Sequence, residues 1–302
     1  MKLTFANRVY GSLFGLFVGD ALGAPVEFKK RGSYSHHTKY LSGGEFNLAP
    51  GQWTDDTSLA LCIIDSIITT KKFDLKNQIE HFIRWWKFGE NSSTGFCFDI
   101  GNTTKKGLQR YLDFGNPLGG SELDPATNGA IMRLSPVPLF FRNSLNDSIK
   151  NSILQTQTTH GALESIEASV ILAYVIYFIL EEKSKEEILK FTHLEYKLMT
   201  SINDLKDGKY KNKSESEING NGLAYNTLEA ALYAFYKFNN FIDGLIFVVN
   251  LGDDTDTVGA VYGQIAGAYY GIQSIPDYYL ENLYAREHLE NKVRNFLEII
   301  DD

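Results

Sequence analysis

Asn250-Leu251-Gly252-Asp253-Asp254-Thr255-Asp256-Thr257 precedes a run of small residues at 258–271, and these two adjoining segments carry the clearest signals for the fold and the site. Glycines recur at every fourth position of the run, and the first apolar segment of the chain carries a second ridge with the same spacing. The two ridges are Gly259, Gly263, Gly267 and Gly271, and Gly11, Gly15, Gly19 and Gly23. Because glycine lowers helix stability, such a ridge is best explained by the close approach of another backbone. We therefore expect two helices in the tightly packed centre of the fold, where they could lie against each other.

The acidic residues of the same stretch need a separate explanation. Asp253, Asp254 and Asp256 stand at a predicted helix start, where the helix dipole favours one or two carboxylates, but three so close together repel one another. They could form a helix cap with spare solvated acids. However, Gln52-Trp53-Thr54-Asp55-Asp56-Thr57 repeats the pattern about two hundred residues earlier. Two such helix starts favour two half-sites that converge on hard cations with oxygen ligands.

An EF-hand loop is the obvious alternative for the later cluster. Asp254, Asp256 and Gly259 fit the first, third and sixth positions of that loop. Val258 stands where an oxygen ligand is needed, and Ile265 stands where the closing glutamate belongs. The spacing excludes an EF-hand.

The apolar periodicity is helical almost throughout the chain, and strand patterns are scarce. We predict an all-α fold, a single compact orthogonal many-helix domain over residues 1–302. Helices are expected at 57–70, 74–88, 162–180, 184–200, 227–238, 241–249 and 285–300, the last as a solvated cover. The polar stretch at about 203–221 is expected to be a mobile loop.

Composition narrows the classes of protein and the compartment. The net charge of -8 argues against a nucleic-acid surface, because phosphate neutralisation needs a basic face. Only Cys62 and Cys97 occur, as expected for core or near-core thiols in a reducing cytoplasm. Asp20 and the glycine spacing argue against a signal peptide at the N-terminus. No stretch is judged long and apolar enough to span a membrane, and we expect a monomer.

Several single residues in loops are further candidates. Asp99 could be a plain helix cap or a catalytic acid, and Gly129 at a predicted helix start would let a phosphate or sugar approach backbone N–H groups. His160 at the start of the most apolar helix is expected to be structural or to donate to an anion as a neutral ring. His36 and His37 are expected to face solvent rather than bind metal.

Six motifs occur in a fixed order along the chain: Gly19-Asp20-Ala21-Leu22-Gly23-Ala24-Pro25-Val26-Glu27, Trp53-Thr54-Asp55-Asp56-Thr57, Asp99-Ile100-Gly101-Asn102, Asn128-Gly129-Ala130-Ile131-Met132-Arg133, Thr159-His160 and Gly252-Asp253-Asp254-Thr255-Asp256-Thr257-Val258-Gly259-Ala260. With them the chain resembles the ADP-ribosylglycohydrolase family, from about residue 8 to about residue 275. Within that family it looks closest to the bacterial members that remove ADP-ribose from arginine in dinitrogenase reductase.

The resemblance implies an all-α fold with a site for two divalent cations, Mg²⁺ or Mn²⁺. By position, the metal ligands would be Thr54, Asp55, Asp56, Asp254, Asp256 and Thr257. The catalytic carboxylates would be Glu27, Asp56 and Asp99, and the residues that hold the ribose and diphosphate would be Asp99, Gly101, Asn102, Asn128, Gly129 and His160. Two departures bear on substrate choice: Thr127 precedes Asn128 where members usually have glycine, and Leu223 stands where many have tyrosine.

Three hypotheses follow for the activity. The first is a metal-dependent hydrolase that removes ADP-ribose from modified protein, with arginine linkages ahead of serine or O-acetyl linkages. The second is a protein that keeps the fold but only binds ADP-ribose or neutralises a toxin. The third is a structural helical protein that uses the cation for stability. Since all the acidic residues are present, the sequence favours the enzyme, with ADP-ribose and an ADP-ribosylated protein as partners.

Overall fold

The chain folds into helices joined by turns in the computed structural model, which describes residues 3–301. Met1, Lys2 and Asp302, at the ends of the predicted domain, lie outside the described residues. The α-helices in chain order are α1 (Phe5–Gly23), α2 (Asp55–Thr70), α3 (Leu75–Phe88), α4 (Asn102–Phe114), α5 (Pro136–Phe140), α6 (Leu145–Gln157), α7 (Leu163–Leu180), α8 (Lys185–Ile188), α9 (Ile202–Lys206), α10 (Ala224–Lys237), α11 (Phe241–Val249), α12 (Thr255–Tyr270), α13 (Asp277–Glu281) and α14 (Arg286–Asp301). Residues 3–301 contain two isolated β-bridges and no β-strand, so the all-α prediction is confirmed.

Helices α1 and α12 lie antiparallel at the centre, and their glycine ridges face each other. A Cβ atom added to Gly15 would lie 2.1 Å from the carbonyl oxygen of Gly263, and one added to Gly19 would lie 2.1 Å from that of Gly259. Because no side chain fits in such a gap, the two backbones can touch only where both residues are glycine. The predicted close approach of the two ridges is confirmed, and it fixes the ends of both helices relative to each other.

The other helices cover this pair with apolar faces. Helices α7, α10 and α11 pack on α12, while α2 packs on α3 and α14. Helix α7 is buried over most of its circumference, as expected from its continuous apolar sequence. Helix α14 instead buries one stripe, formed by Leu289, Val293, Phe296 and Ile300, as expected for the predicted solvated cover. Burial of each such side chain contributes about 1.5–3 kcal/mol to stability.

The prediction of one helix over 184–200 is wrong beyond the first turn of that segment. Helix α8 ends at Ile188, and the following residues form turns. The buried carboxylate of Glu167 accepts hydrogen bonds from the backbone N–H groups of Met199, at 2.6 Å, and Thr200, at 2.9 Å. These bonds replace the helical ladder, and periodicity in one segment cannot reveal a partner on α7. Helix α6 was not predicted.

The stretch at 203–221 has more structure than its composition indicates. It contains part of α9 and two 3-10 helices, Lys209–Asn212 and Glu215–Glu217. Tyr210 is fully buried, and Lys213 pairs with Glu229 of α10 at 2.6 Å. The mobility of this stretch remains a prediction.

Two helices contradict the expectation that no segment could span a membrane. Phe5–Val26 and Leu163–Leu180 are both long and apolar enough by length and composition. In the structure, the most apolar 18-residue stretch of the first helix is 94% buried inside the protein, and that of the second helix is 72% buried. Both serve here as core helices, because they are covered by other helices of the same chain.

Candidate active site

Helices α2 and α12 begin side by side, and this brings the two acidic clusters together. The Thr54 hydroxyl oxygen lies 3.1 Å from a carboxylate oxygen of Asp56 and 3.1 Å from one of Asp256. Asp20, Asp56 and Asp256 each offer an oxygen atom, and these atoms all lie within 4.8 Å of one another. The two half-sites predicted from sequence therefore converge on one buried point.

Asp20 of α1 anchors the start of α2. One of its carboxylate oxygens accepts hydrogen bonds from the backbone N–H and the hydroxyl of Thr54, both at 2.9 Å. The other oxygen accepts from the backbone N–H of Thr57, also at 2.9 Å. Since the Thr54 side chain does not cap its own helix, Asp20 supplies the missing acceptor. Sequence reasoning did not assign Asp20 to the site, although an aspartate inside an apolar glycine-rich helix was an available signal.

Glu27 and Asp99 approach the same point from two loops. Glu27, Asp99 and Asp256 each offer a carboxylate oxygen within 4.8 Å of the others. Asp99 has a left-handed backbone, with φ of 52°, and it is not the cap of α4, because Gly101 occupies the N-cap position. The alternative of a plain helix cap for Asp99 is therefore wrong.

Burial and mutual repulsion raise the pKa values of these carboxyl groups. The pKa values of Glu27, Asp55, Asp56 and Asp256 lie well above their ordinary values, first through burial and then through repulsion by neighbouring carboxylates. The same two causes raise the pKa of Asp99 to about 7. The salt bridges of residues 3–301 all lie elsewhere, so no lysine, arginine or histidine among them pairs with these acids.

The donor atoms fit a hard divalent cation. Glu27, Asp56 and Asp256 each have one buried carboxylate oxygen without a hydrogen-bond partner among the described residues. Such orphaned oxygen atoms are costly unless a cation or water binds them, and oxygen donors of this kind suit Mg²⁺ or Mn²⁺. The acidic residues could therefore form a divalent-metal site.

A second group of acids shows what a satisfied cluster looks like. Asp65, His81 and Glu90 also lie close together, but Lys292 pairs with Asp65 and Arg84 pairs with Glu90. These carboxylates are neutralised by the protein itself, and this contrast supports assigning the cation to the first cluster.

A cavity of about 330 Å³ opens beside the acidic cluster. Its wall has an acidic end and a polar end that meet where the Asn128 amide donates to Asp254; we define the acidic end as Glu27, Asp55, Asp99, Asp254, Asp256 and Thr257, and the polar end as Gly101, Asn102, Thr103, Thr104, Asn128, Gly129 and His160. Thr54 and Asp56 are buried behind the first set and do not line the cavity. Thus all the site residues predicted from sequence except these two share one cavity.

Asn128 and His160 hold the polar end in place. The Asn128 amide donates to Asp254 at 3.0 Å and to the Thr227 hydroxyl of α10 at 2.9 Å. The His160 ring nitrogens lie 3.0 Å from the Thr127 hydroxyl and 2.8 Å from the Thr159 hydroxyl. Burial lowers the pKa of His160 to about 3, so the ring is neutral.

Gly129 belongs to a turn and not to a helix start, which corrects the expectation from sequence. The bonds that shape this turn run from the backbone N–H groups of Ile131 and Met132 to the Asn128 carbonyl. A Cβ atom at Gly129 would lie 3.1 Å from the His160 ring, so a side chain there would crowd the cavity. The start of α4 lines the cavity through Thr103 and Thr104, in addition to the acidic starts of α2 and α12.

Arg133 is a functional candidate that sequence reasoning missed. Its guanidinium is fully buried and donates to the Gly129 carbonyl at 2.7 Å and to the Thr159 hydroxyl at 2.6 Å. Burial lowers its pKa to about 10, and the nearby acids, Asp55 first, oppose that shift. Arg133 therefore places a positive charge behind the acidic cluster and supports the turn that carries Gly129.

The two histidines of the first loop behave differently from each other. His36 is exposed as expected, but His37 is buried, and the expectation that it faces solvent is wrong. Its Nε2 atom lies 2.6 Å from the Leu22 carbonyl oxygen, and its backbone pairs with the Asn250 amide. His37 thus ties the loop to the end of α1. Cys62 is buried and Cys97 is half-buried, as predicted.

Sequence comparisons agree with this arrangement. The profile of the ADP-ribosylglycohydrolase family matches residues 1–301. The ADP-ribosylarginine hydrolase Tri1 of Serratia proteamaculans (strain 568) is 40% identical over 286 residues, which cover 94% of this chain and 77% of that protein. The ADP-ribosyl-[dinitrogen reductase] glycohydrolase of Rhodospirillum rubrum is 31% identical over 285 residues, 92% of this chain and 90% of that protein.

A solved structure shares the whole fold. It is described as an ADP-ribosylglycohydrolase-related protein complex, and it superposes with a TM-score of 0.86 at 37% identity over 98% of each chain. Together with the acidic residues that meet at the starts of α2 and α12, these matches show that the chain belongs to the ADP-ribosylglycohydrolase family.

Proposed function

We propose that this protein is a metal-dependent hydrolase that removes ADP-ribose from modified arginine side chains of proteins. The observation that carries the proposal is the trio of Glu27, Asp99 and Asp256 in the wall of a cavity that is also lined by neutral polar residues. Hydrolysis of an N-glycosidic bond needs carboxylates at the reacting sugar and a separate site for the rest of the nucleotide. The names of the similar bacterial proteins support the same reaction.

The substrate would lie along the cavity with its distal ribose at the acidic end. The diphosphate would then reach Gly101, Asn102 and the start of α4, where free backbone N–H groups and the helix dipole favour an anion. Asn128, Gly129 and His160 would complete this end, where the neutral His160 ring, bonded to the Thr127 and Thr159 hydroxyls, adds no charge. Asp99 would contact the ribose next to its reacting carbon.

The acidic residues would hold two divalent cations, Mg²⁺ or Mn²⁺. The ligands would be Asp55, Asp254, Asp256 and Thr257 from the cavity side, with Thr54 and Asp56 behind them. When bound, such cations supply Lewis-acid polarisation and lower the pKa of water.

Glu27 is the carboxylate best placed to act as general base. It lines the cavity, whereas Asp56 does not, although each of the two has one buried oxygen without a hydrogen-bond partner among the described residues. Burial and then the neighbouring carboxylates raise the pKa of Glu27, which favours uptake of a proton by this group. In the step that we propose, Glu27 accepts a proton from water as the water oxygen bonds to C1″ and the bond from C1″ to the arginine nitrogen breaks.

Asp99 would then serve the leaving group. A carboxylate beside C1″ can pair with the guanidinium through two hydrogen bonds, which a serine leaving group cannot offer. We therefore expect Asp99→Asn to lower kcat/KM on ADP-ribosyl-arginine about 10- to 100-fold more than on ADP-ribosyl-serine. Equal losses on the two substrates would mean that Asp99 only holds the ribose.

One experiment tests the activity and separates it from mere binding. ADP-ribosyl-arginine peptide is incubated with the protein and Mg²⁺ or Mn²⁺, and release of ADP-ribose and of unmodified peptide is followed by chromatography with and without EDTA. We expect release that EDTA abolishes. Binding of ADP-ribose without release would indicate a binding protein, and release unaffected by EDTA would contradict the metal. Asp253→Asn is a matched control, because Asp253 belongs to the same acidic stretch but is exposed outside the cavity.

We also propose that the protein is a monomer and that it acts in the cytoplasm. A monomer suffices, because every residue proposed for the site belongs to one chain. The free thiols of Cys62 and Cys97 support a reducing compartment, and we place the activity in the cytoplasm.

A further inference from the structure

Four phenylalanine side chains form a continuous row that begins at Phe28 in the wall of the cavity. The ring centroids of Phe28 and Phe46 lie 6.2 Å apart, those of Phe46 and Phe98 lie 5.3 Å apart, and those of Phe98 and Phe96 lie 6.3 Å apart. We call this row the phenylalanine rim. Its two ends are open to solvent, since Phe28 is 58% exposed and Phe96 is 63% exposed.

The phenylalanine rim joins the two loops that carry the catalytic candidates. Phe28 directly follows Glu27 and lines the cavity, while Phe98 directly precedes Asp99. The carboxylate oxygens of Glu27, Asp99 and Asp256 lie within 4.8 Å of one another, so Phe28 and Phe98 each adjoin one member of this trio along the chain.

The backbone holds Phe28 in this exposed place at some cost. Its φ is 61°, a left-handed conformation that a phenylalanine rarely adopts. The Phe28 N–H donates to the Asp253 carbonyl at 2.6 Å, and the Asp253 N–H donates to the Lys29 carbonyl at 2.8 Å. Folding alone gives no reason to fix a large apolar ring outward in this way, so a ligand is the better explanation.

The place of the rim in the proposed reaction identifies the ligand. The reacting carbon must lie at the carboxylates, and the diphosphate must lie towards the start of α4 and His160. The group that leaves from the reacting carbon therefore emerges at the acidic end, beside Phe28 and Phe98. A guanidinium on an aliphatic stem is the leaving group that aromatic faces next to carboxylates suit best, through stacking and cation–π attraction.

We infer that the phenylalanine rim binds the side chain of the modified arginine and so selects the leaving group. This inference rests on the proposed function, which it deepens by naming residues that contact the protein side of the substrate. The competing occupant is the adenine base, which also stacks on aromatic rings. The two differ in one measurable way: free ADP-ribose contains the adenine but lacks the arginine.

Three variants test the inference through two measurements. Phe28→Ala removes the ring, Phe28→Leu keeps an apolar group without a π-face, and Phe114→Ala removes a phenylalanine that is 81% exposed at the far end of α4. The first measurement is kcat/KM on ADP-ribosyl-arginine peptide with Mg²⁺. The second is the Kd of free ADP-ribose by calorimetry in the same buffer.

We expect Phe28→Ala to lower kcat/KM about tenfold, chiefly through a higher KM, with the Kd of ADP-ribose changed less than about twofold. Phe28→Leu should recover little of the loss, and Phe114→Ala should match wild type in both measurements. A Kd for ADP-ribose that weakens as much as kcat/KM would assign the rim to adenine and overturn the inference. An unchanged kcat/KM would overturn it as well. Absence of turnover by the wild-type protein would instead refute the proposed function, and this inference with it.

Discussion

A single methyl group at the contact between the two central helices should disturb both stability and activity. In Gly15→Ala, the new Cβ would lie 2.1 Å from the Gly263 carbonyl oxygen, whereas ordinary contact begins at 3.4 Å. The helices must therefore separate locally by about 1.3 Å, because neither backbone can rotate away. Overpacking of this kind costs about 1–3 kcal/mol or more, and the better helix propensity of alanine offsets about 1 kcal/mol. Since neighbouring side chains also lose contact across the widened gap, we expect a net loss of about 2–3 kcal/mol.

The same separation should reach the site. Asp20 lies five residues beyond Gly15 on α1, and Asp256 begins the helix on the other side of the contact. A shift of about 1 Å between catalytic groups can lower turnover about a hundredfold. Urea unfolding gives the stability, and release of ADP-ribose gives the activity.

The design includes a control and a test of the assumed contact. Gly32→Ala adds the same methyl group where no atom lies within 4 Å, so only the left-handed backbone of Gly32 opposes it. We expect about 1 kcal/mol for that change and full activity. Gly263→Ala would place its Cβ 2.0 Å from the Gly15 carbonyl oxygen in the same gap, so the double variant Gly15→Ala/Gly263→Ala should cost less than the sum of the two single variants. A Gly15→Ala protein as stable and as active as wild type would refute the reasoning.

Three further predictions concern the site. Asp256→Asn should lower kcat about a hundredfold or more. Because a cation that binds the folded state stabilises it, the variant should also lose the rise in unfolding temperature that added Mg²⁺ or Mn²⁺ causes, and a retained rise would contradict the role of Asp256 as a ligand. The lowered pKa of His160, about 3 against an ordinary 6.5, means that the folded state resists protonation, so stability is lost as pH falls below 6.5. Between pH 7 and 5, wild type should lose about 2 kcal/mol more than His160→Gln in urea unfolding, and equal losses would refute this. Arg133→Met leaves the Gly129 carbonyl and the Thr159 hydroxyl without their donor, so we expect the free energy of unfolding to fall by about 2 kcal/mol and the affinity for ADP-ribose to decrease. An unchanged affinity by calorimetry would count against a supporting role for Arg133.

The sequence was sufficient to predict the central contact and the meeting of the two acidic clusters. Both signals are local patterns with one physical explanation each: glycine at every fourth position needs a neighbouring backbone, and crowded aspartates at a helix start need a cation. What these patterns omit are residues whose role depends on a distant partner. His37 is buried because its backbone N–H donates to the Asn250 side chain and its ring contacts the Leu22 carbonyl. No sequence pattern near His37 predicts either contact.

Asp20 and Arg133 show why the supporting half of a site is harder to predict than the half that touches substrate. Both are charged residues inside apolar segments. From sequence alone, such a residue could extend its charge to solvent, pair with an opposite charge or act in a site. Their roles appear only when the partners are known: Asp20 caps α2 from another helix, and Arg133 bonds the Gly129 turn from beneath. Besides one threonine hydroxyl, each bonds backbone groups, and backbone groups carry no residue identity. A buried charge whose partners are backbone atoms therefore leaves no sequence pattern other than its own presence, and its substitution is the direct way to learn what it positions.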